Sequence, residues 1–169
     1  MSYRNKTYVA FASEDIKSYW LMTAWKKNEH IDFDFFDAHD LNIALDTSQP
    51  ETIRRRLRER LANTKQVVVL GSAKCKSKAS DNDSFLFYEI EVVTKLNLPV
   101  VVANLDGDRT IDRNFIPQRF LNSDYYTMSI SFQPTIIKYA LDNYAPDYAT
   151  SSRTGPHYYK TQVYTRLGL

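Results

Sequence analysis

At 169 residues the chain has room for one domain with a proper core. Its 43% hydrophobic and 25% charged content is that of an ordinary soluble globular protein, and a net charge of +2 gives no strong field for nucleic acid or an anionic membrane. The longest apolar runs, "VVVL" and "PVVVANL", fall far short of the ~18 residues that a membrane-spanning helix needs.

The N-terminal "MSYRNKTYVAF" has no apolar signal core, which reads against secretion. The single cysteine, Cys75, leaves no internal disulfide and suits a reducing cytoplasm. With only three scattered histidines beside it, the sequence offers no metal site.

In chain order, "TYVAFAS" (7–13) is β-branched and aromatic, a strand signal. "SEDIKSYWLMTAWKKN" follows as a helix, with Ser13 placed to cap it and Glu14 and Asp15 at its positive end. "IDFDFF" (31–36) alternates Ile31, Phe33 and Phe35 with Asp32 and Asp34, the pattern of a half-exposed edge strand. A polar loop, "DAHDLNIALDTSQPE", leads to the helix "TIRRRLRERLANT", in which Ile53, Leu57 and Leu61 form one apolar stripe and leave the arginines on the outer face.

"QVVVLGS" (66–72) and "PVVVANLDG" (99–107) are short, continuously apolar strands, as found where both faces of a parallel sheet are buried. Between them lie a loop, "AKCKSKASDND", and a helix, "SFLFYEIEVVTKL" (84–96). "DYYTMSI" (124–130) reads as a last strand and "QPTIIKYALDNY" (133–144) as a last helix with Pro134 in its first turn. The tail from Ala145 has little periodicity and reads as an irregular extension. The alternation of strand and helix predicts an α/β fold: a three-layer sandwich around a mostly parallel five-stranded sheet.

The helix at 84–96 holds an oddity. With Phe85 at zero on a helical wheel of ~100° per residue, Val92, Leu96, Val93, Leu86 and Ile90 fan out from roughly 340° to 140°, and Glu89 falls among them near 40°. Glu91, Thr94 and Lys95 gather on the other side, where solvent is expected. An ionised carboxylate in apolar surroundings must find partners, be neutralised, or line a wet cleft. Glu89 is therefore either a capping or ion-pairing group under the helix, or a residue that points into a pocket.

In open α/β sheets the ligand crevice lies beyond the carboxyl ends of the strands. Only four glycines occur and none follows the first strand, which excludes a dinucleotide-binding glycine turn. A GxxxxGK[ST] phosphate loop is absent, and "LGS" stands where a phospho-acceptor receiver domain needs its aspartate.

Taken in order, "VAFASED", "FFDAHDL", "LANTKQVVVLGS", "FLFYEIEVV" and "LPVVVANLDG" resemble the TIR domain, and more narrowly the TIR-like proteins of bacterial Thoeris antiphage defence. The resemblance runs from about Lys6 to Ile111 and more loosely to Tyr144. It implies a flavodoxin-like TIR domain over 1–144, with 145–169 an extension that packs on the body or on a partner. It also implies cleavage of the nicotinamide–ribose bond of NAD, which is substrate rather than cofactor. The catalytic glutamate of TIR enzymes lies in a motif like W-x-x-x-E. Phe85 and Glu89 fill that spacing, so the resemblance puts the catalytic role on Glu89.

The departure is Phe85 itself, which can stack on nicotinamide or ribose with less area than tryptophan and no N–H donor, or simply pack in the core. The resemblance further suggests substrate contacts from Ser13 and Ser72 at strand ends, with helix capping and turn formation as their alternatives. Phe11 matches an aromatic of the first TIR strand, and core packing is its alternative. His39 sits in "DAHDLNIALDTSQ", which corresponds to the loop that gates the TIR pocket. The implied function is an enzyme that makes an ADP-ribose-derived signalling nucleotide, a cyclic ADP-ribose isomer or an ADP-ribose conjugate, which activates a separate effector protein. The rival is a non-catalytic TIR-like adaptor that works by assembly with itself or a partner. The tyrosine-rich tail suits a homo-oligomer interface or a strap over the domain's own core.

Overall fold

A computed structural model describes residues 6–35 and 49–169. Five parallel strands form one sheet in the order β1 (Thr7–Ala10), β2 (Gln66–Gly71), β3 (Val100–Asn104), β4 (Thr127–Ser131) and β5 (Pro156–Tyr158). In the central pairing Val67 to Gly71 stand opposite Val100 to Asn104. Every residue of the first four strands is buried; β2 and β3 are accordingly near-continuous apolar runs, whereas β4 alternates buried hydroxyl residues (Thr127, Ser129, Ser131) with Met128 and Ile130.

Successive side chains feed opposite layers. Val9, Val68, Leu70, Val101 and Ala103 face a core closed by α1 (Ile16–Lys27) and α6 (Pro134–Asp147), through Met22, Ile136, Ile137 and Leu141. Tyr8, Ala10, Val67, Val69, Val100 and Val102 face α2 (Pro50–Leu61), α3 (Ala73–Ala79) and α4 (Phe85–Lys95). The short α5 (Gln118–Leu121) adds Phe120 to that second core. The result is the three-layer α/β sandwich expected, flavodoxin-like in class, with an all-parallel sheet.

Three local expectations are corrected. Residues 31–35 lie outside any strand, although Phe33 and Phe35 are buried and Asp32 and Asp34 exposed as their alternation requires. Alternation fixes which side chains are buried; it does not bring a neighbouring main chain within ladder distance. The lysine-rich stretch read as a loop is the helix α3, capped by Ser72. The tail is not irregular throughout: Pro156–Tyr158 adds the fifth strand beside β4, and α7 (Thr161–Arg166) buries Tyr164 against the first core. The Tyr164 hydroxyl accepts the Ser131 N–H at 3.2 Å, so the segment after Tyr144 is hydrogen-bonded to the body. No helix among the described residues is long and apolar enough to cross a membrane.

Candidate active site

The helix α4 is buried on most of its circumference: Leu86, Tyr88, Glu89, Ile90, Val92 and Val93 are all covered. Glu89 is 1% exposed, in the middle of the apolar arc as the wheel requires. Phe85, one turn earlier on the same face, is half-buried and packs against the second core. Leu96 departs from the wheel: it falls at the helix C-cap and is 39% exposed, because the helical period stops there.

Two neighbours hold α4 in place. On one side, Arg54 of α2 donates from Nε to Glu91 Oε2 at 2.6 Å and lies over the Tyr88 ring, 5.3 Å from its centroid. That guanidinium holds the Glu91 carboxyl below the usual carboxylate range. Glu91 is therefore an ion-pair partner rather than a solvated residue, and one arginine of the basic cluster serves helix packing. On the other side lies α3, whose Cys75 is fully buried in the same core as α4.

The ends of β1 and β2 meet this helix pair. Gly71 ends β2, where an added Cβ would lie 3.1 Å from Val102 Cγ1 and 3.2 Å from Asn104 Oδ1, so glycine permits the close approach of β2 and β3. Ser72 follows with extended backbone and caps α3: the Cys75 N–H donates to its Oγ at 2.9 Å. Ser72 Oγ in turn donates to Asp15 Oδ2 at 2.5 Å, a bond that links the turn after β1 to the turn after β2. Asp15 closes a 3-10 turn, Ser13–Asp15, that precedes α1. Burial pushes the Cys75 thiol up to about 12, opposed by its bond to Ser72 and reinforced by the Asp15 and Glu89 carboxylates. Glu14, exposed beside them, is held low by a backbone hydrogen bond and by Lys78, whose Nζ is 3.8 Å from its carboxylate.

Of the residues singled out from sequence, Glu89 and Phe85 lie one turn apart on α4, and Ser72 follows β2 as the cap of α3. Ser13 is at the rim and exposed; it caps no helix, and its hydroxyl reaches Glu14 at 3.3 Å. Phe11 belongs to the opposite core, stacked on Tyr19 of α1 with ring centroids 4.9 Å apart. His39 lies outside the described residues. Asp15, Cys75 and Asn104 were not singled out as site residues. Asn104, buried at the end of β3, donates to the carbonyls of Asp108 and Thr110 at 3.0 and 3.1 Å and so shapes the loop after that strand. The link between Asp15 and Ser72 spans 57 positions and leaves no periodic trace. Among the described residues no three of His, Cys, Asp and Glu are grouped to hold a metal ion.

A parallel sheet with helices on both faces defines a protein of the flavodoxin-like α/β class, the architecture of TIR-like domains. The family model of the Thoeris protein ThsB, TIR-like domain, matches residues 8–110. The match spans well over half of the chain, and the chain belongs to that family. No curated protein matches it.

Proposed function

We propose that the chain is an NAD-consuming enzyme of Thoeris antiphage defence, which cleaves the nicotinamide–ribose bond and passes the ADP-ribosyl group to an acceptor. The product is a signalling nucleotide, a cyclic ADP-ribose isomer or an ADP-ribose conjugate, that activates a separate effector. The observation that carries this reading is Glu89: a carboxylate, 1% exposed, held on the apolar arc of α4 one turn from Phe85.

The chemistry suits such a group. As nicotinamide leaves, positive charge develops on the ribose, much as in glycoside hydrolysis. A fixed carboxylate at that point stabilises the charge, and apolar walls strengthen the effect because water cannot screen it. Phe85 supplies a flat face for nicotinamide or ribose. The crevice residues perform this without a metal, and NAD enters as substrate.

Mass spectrometry of small molecules from cells under phage attack tests the reading. Wild type should deplete NAD and accumulate an NAD-derived nucleotide, and Glu89→Gln should do neither while remaining folded. Identical products from both proteins would remove Glu89 from the mechanism. The assembly reading rests on a different observation: Trp20 and Leu21 of α1 are 55% and 46% exposed, large apolar side chains that suit a protein contact. Partner binding without NAD loss in any infected culture would favour it.

A further inference from the structure

The hydrogen bonds around Ser72 limit what it can offer a ligand. A serine hydroxyl has one proton to give and two lone pairs. Here the proton goes to Asp15 Oδ2, and one lone pair takes the Cys75 N–H. Ser72 is 8% exposed, so little of it is left to touch anything else. Ser13, the other hydroxyl of the crevice, is turned toward Glu14. An ionised carboxylate, in contrast, has about four acceptor positions on its two oxygens, and Asp15 spends one of them on Ser72. Asp15 is half-buried at the end of the turn after β1, with its carboxylate steered by a bond from a neighbouring strand end. It is an acceptor-only group, partly desolvated and fixed in direction, at the carboxyl end of β1, the end of the sheet where open α/β folds bind their ligands.

Acceptor-only groups of this kind select hydroxyl donors, and vicinal hydroxyls best of all, because two donors reach the two oxygens of one carboxylate. We infer that Asp15 is the specificity-determining residue of the β1 side of the crevice, binding a ribose hydroxyl of the substrate, and that Ser72 is its positioning residue rather than a substrate ligand. The inference rests on the proposed NAD-consuming function and deepens it: it names the sugar hydroxyl as the feature read at this wall.

The test compares NAD with its analogue lacking the 2′-hydroxyl of the nicotinamide ribose, by calorimetric titration against protein carrying Glu89→Gln so that nothing is consumed. That protein should prefer NAD by about tenfold, the discrimination expected of one charge-assisted hydrogen bond. Adding Asp15→Asn, which keeps the shape and still accepts from Ser72, should weaken NAD about tenfold and bring the preference for the hydroxyl to within about twofold. Adding Ser72→Ala should weaken NAD by less than Asp15→Asn does, leave the analogue nearly unchanged and so reduce the preference only in part, because Ser72 acts through Asp15 alone. Asp15→Glu, which restores the charge, should recover part of the discrimination, a result that a merely structural role would not give. Thermal melts of all four proteins exclude misfolding as the cause. If NAD binds and Asp15→Asn discriminates as well as its parent, the assignment to Asp15 is overturned while the enzymatic reading stands. If Ser72→Ala abolishes the discrimination and Asp15→Asn does not, the two roles are reversed and the inference is wrong. If no protein of the set, wild type included, binds NAD, the enzymatic reading falls and the inference falls with it.

Discussion

Replacing Tyr144 by phenylalanine removes one oxygen from the base of the sheet. That hydroxyl accepts the Val100 N–H at 2.9 Å and donates to the Tyr126 carbonyl at 2.7 Å, tying α6 to the start of β3 and to the residue before β4. Tyr144 is 3% exposed, and burial holds its phenol well above the ordinary tyrosine range. In the variant, a buried N–H and a buried carbonyl each lose a partner, at about 1–3 kcal/mol apiece. The ring keeps its edge-to-face contact with Tyr126, centroids 5.0 Å apart, so nothing is lost from packing. Allowing for the easier burial of phenylalanine, the expected loss is about 2–4 kcal/mol. For a chain of this size that lowers Tm by roughly 4–16 °C. Urea unfolding followed by tyrosine fluorescence and by circular dichroism measures it. Tyr148→Phe is the control: its hydroxyl meets Asn97 Oδ1 at 2.7 Å in an exposed setting, so its change should stay within about 0.5 kcal/mol. Both bonds lie at the end of the sheet away from Glu89, so turnover per folded molecule should be unaffected. A Tyr144→Phe protein within 0.5 kcal/mol of wild type would refute the reasoning, since its two orphaned groups must then find other partners at no cost.

Other outcomes follow from the same geometry. Glu89→Gln should reduce NAD turnover by at least about 100-fold, the scale of losing a preorganised charge at the reacting centre, measured by nicotinamide release. Phe85→Ala should raise KM for NAD several-fold with a smaller change in kcat, since an aromatic contact is worth about 0.5–1.5 kcal/mol; an unchanged KM would assign Phe85 to packing alone. Gly71→Ala should destabilise by about 1–3 kcal/mol, because the new Cβ meets Val102 and Asn104 at 3.1 and 3.2 Å; equilibrium unfolding reads it. Cys75 gives a pH dependence: its folded value, about 12, lies above its ordinary 9.0, so its contribution is full below pH 9 and is lost as pH rises toward 12. At pH 10.5 wild type should have lost about 2 kcal/mol more than Cys75→Ala, relative to pH 8, in parallel urea titrations.

The strands were legible where burial was total. "QVVVL" and "PVVVAN" are runs that no amphipathic helix tolerates, and they are β2 and β3. The inward face of α4, with Glu89 upon it, was legible because a helix repeats every 3.6 residues whatever surrounds it. The strand expected at 31–36 did not form within 31–35, and a strand of three residues appeared in the tail, for one physical reason. A strand exists only through the main chain beside it, and β5 is defined by β4, some 25 positions earlier, rather than by any pattern in "PHY". Glu91 shows the same limit: the wheel placed it on the outer side, and only the packing of α2 brought Arg54 across to it.

The order of residues along the chain therefore determined which stretches are helical or apolar and which carboxylate is out of place. Tertiary structure alone decided that the Ser72 hydroxyl donates to Asp15, that Arg54 reaches Glu91, and that the tail completes the sheet. Local periodicity is written by neighbours three or four positions apart, whereas a crevice is written by strand ends that meet only after the chain has closed on itself.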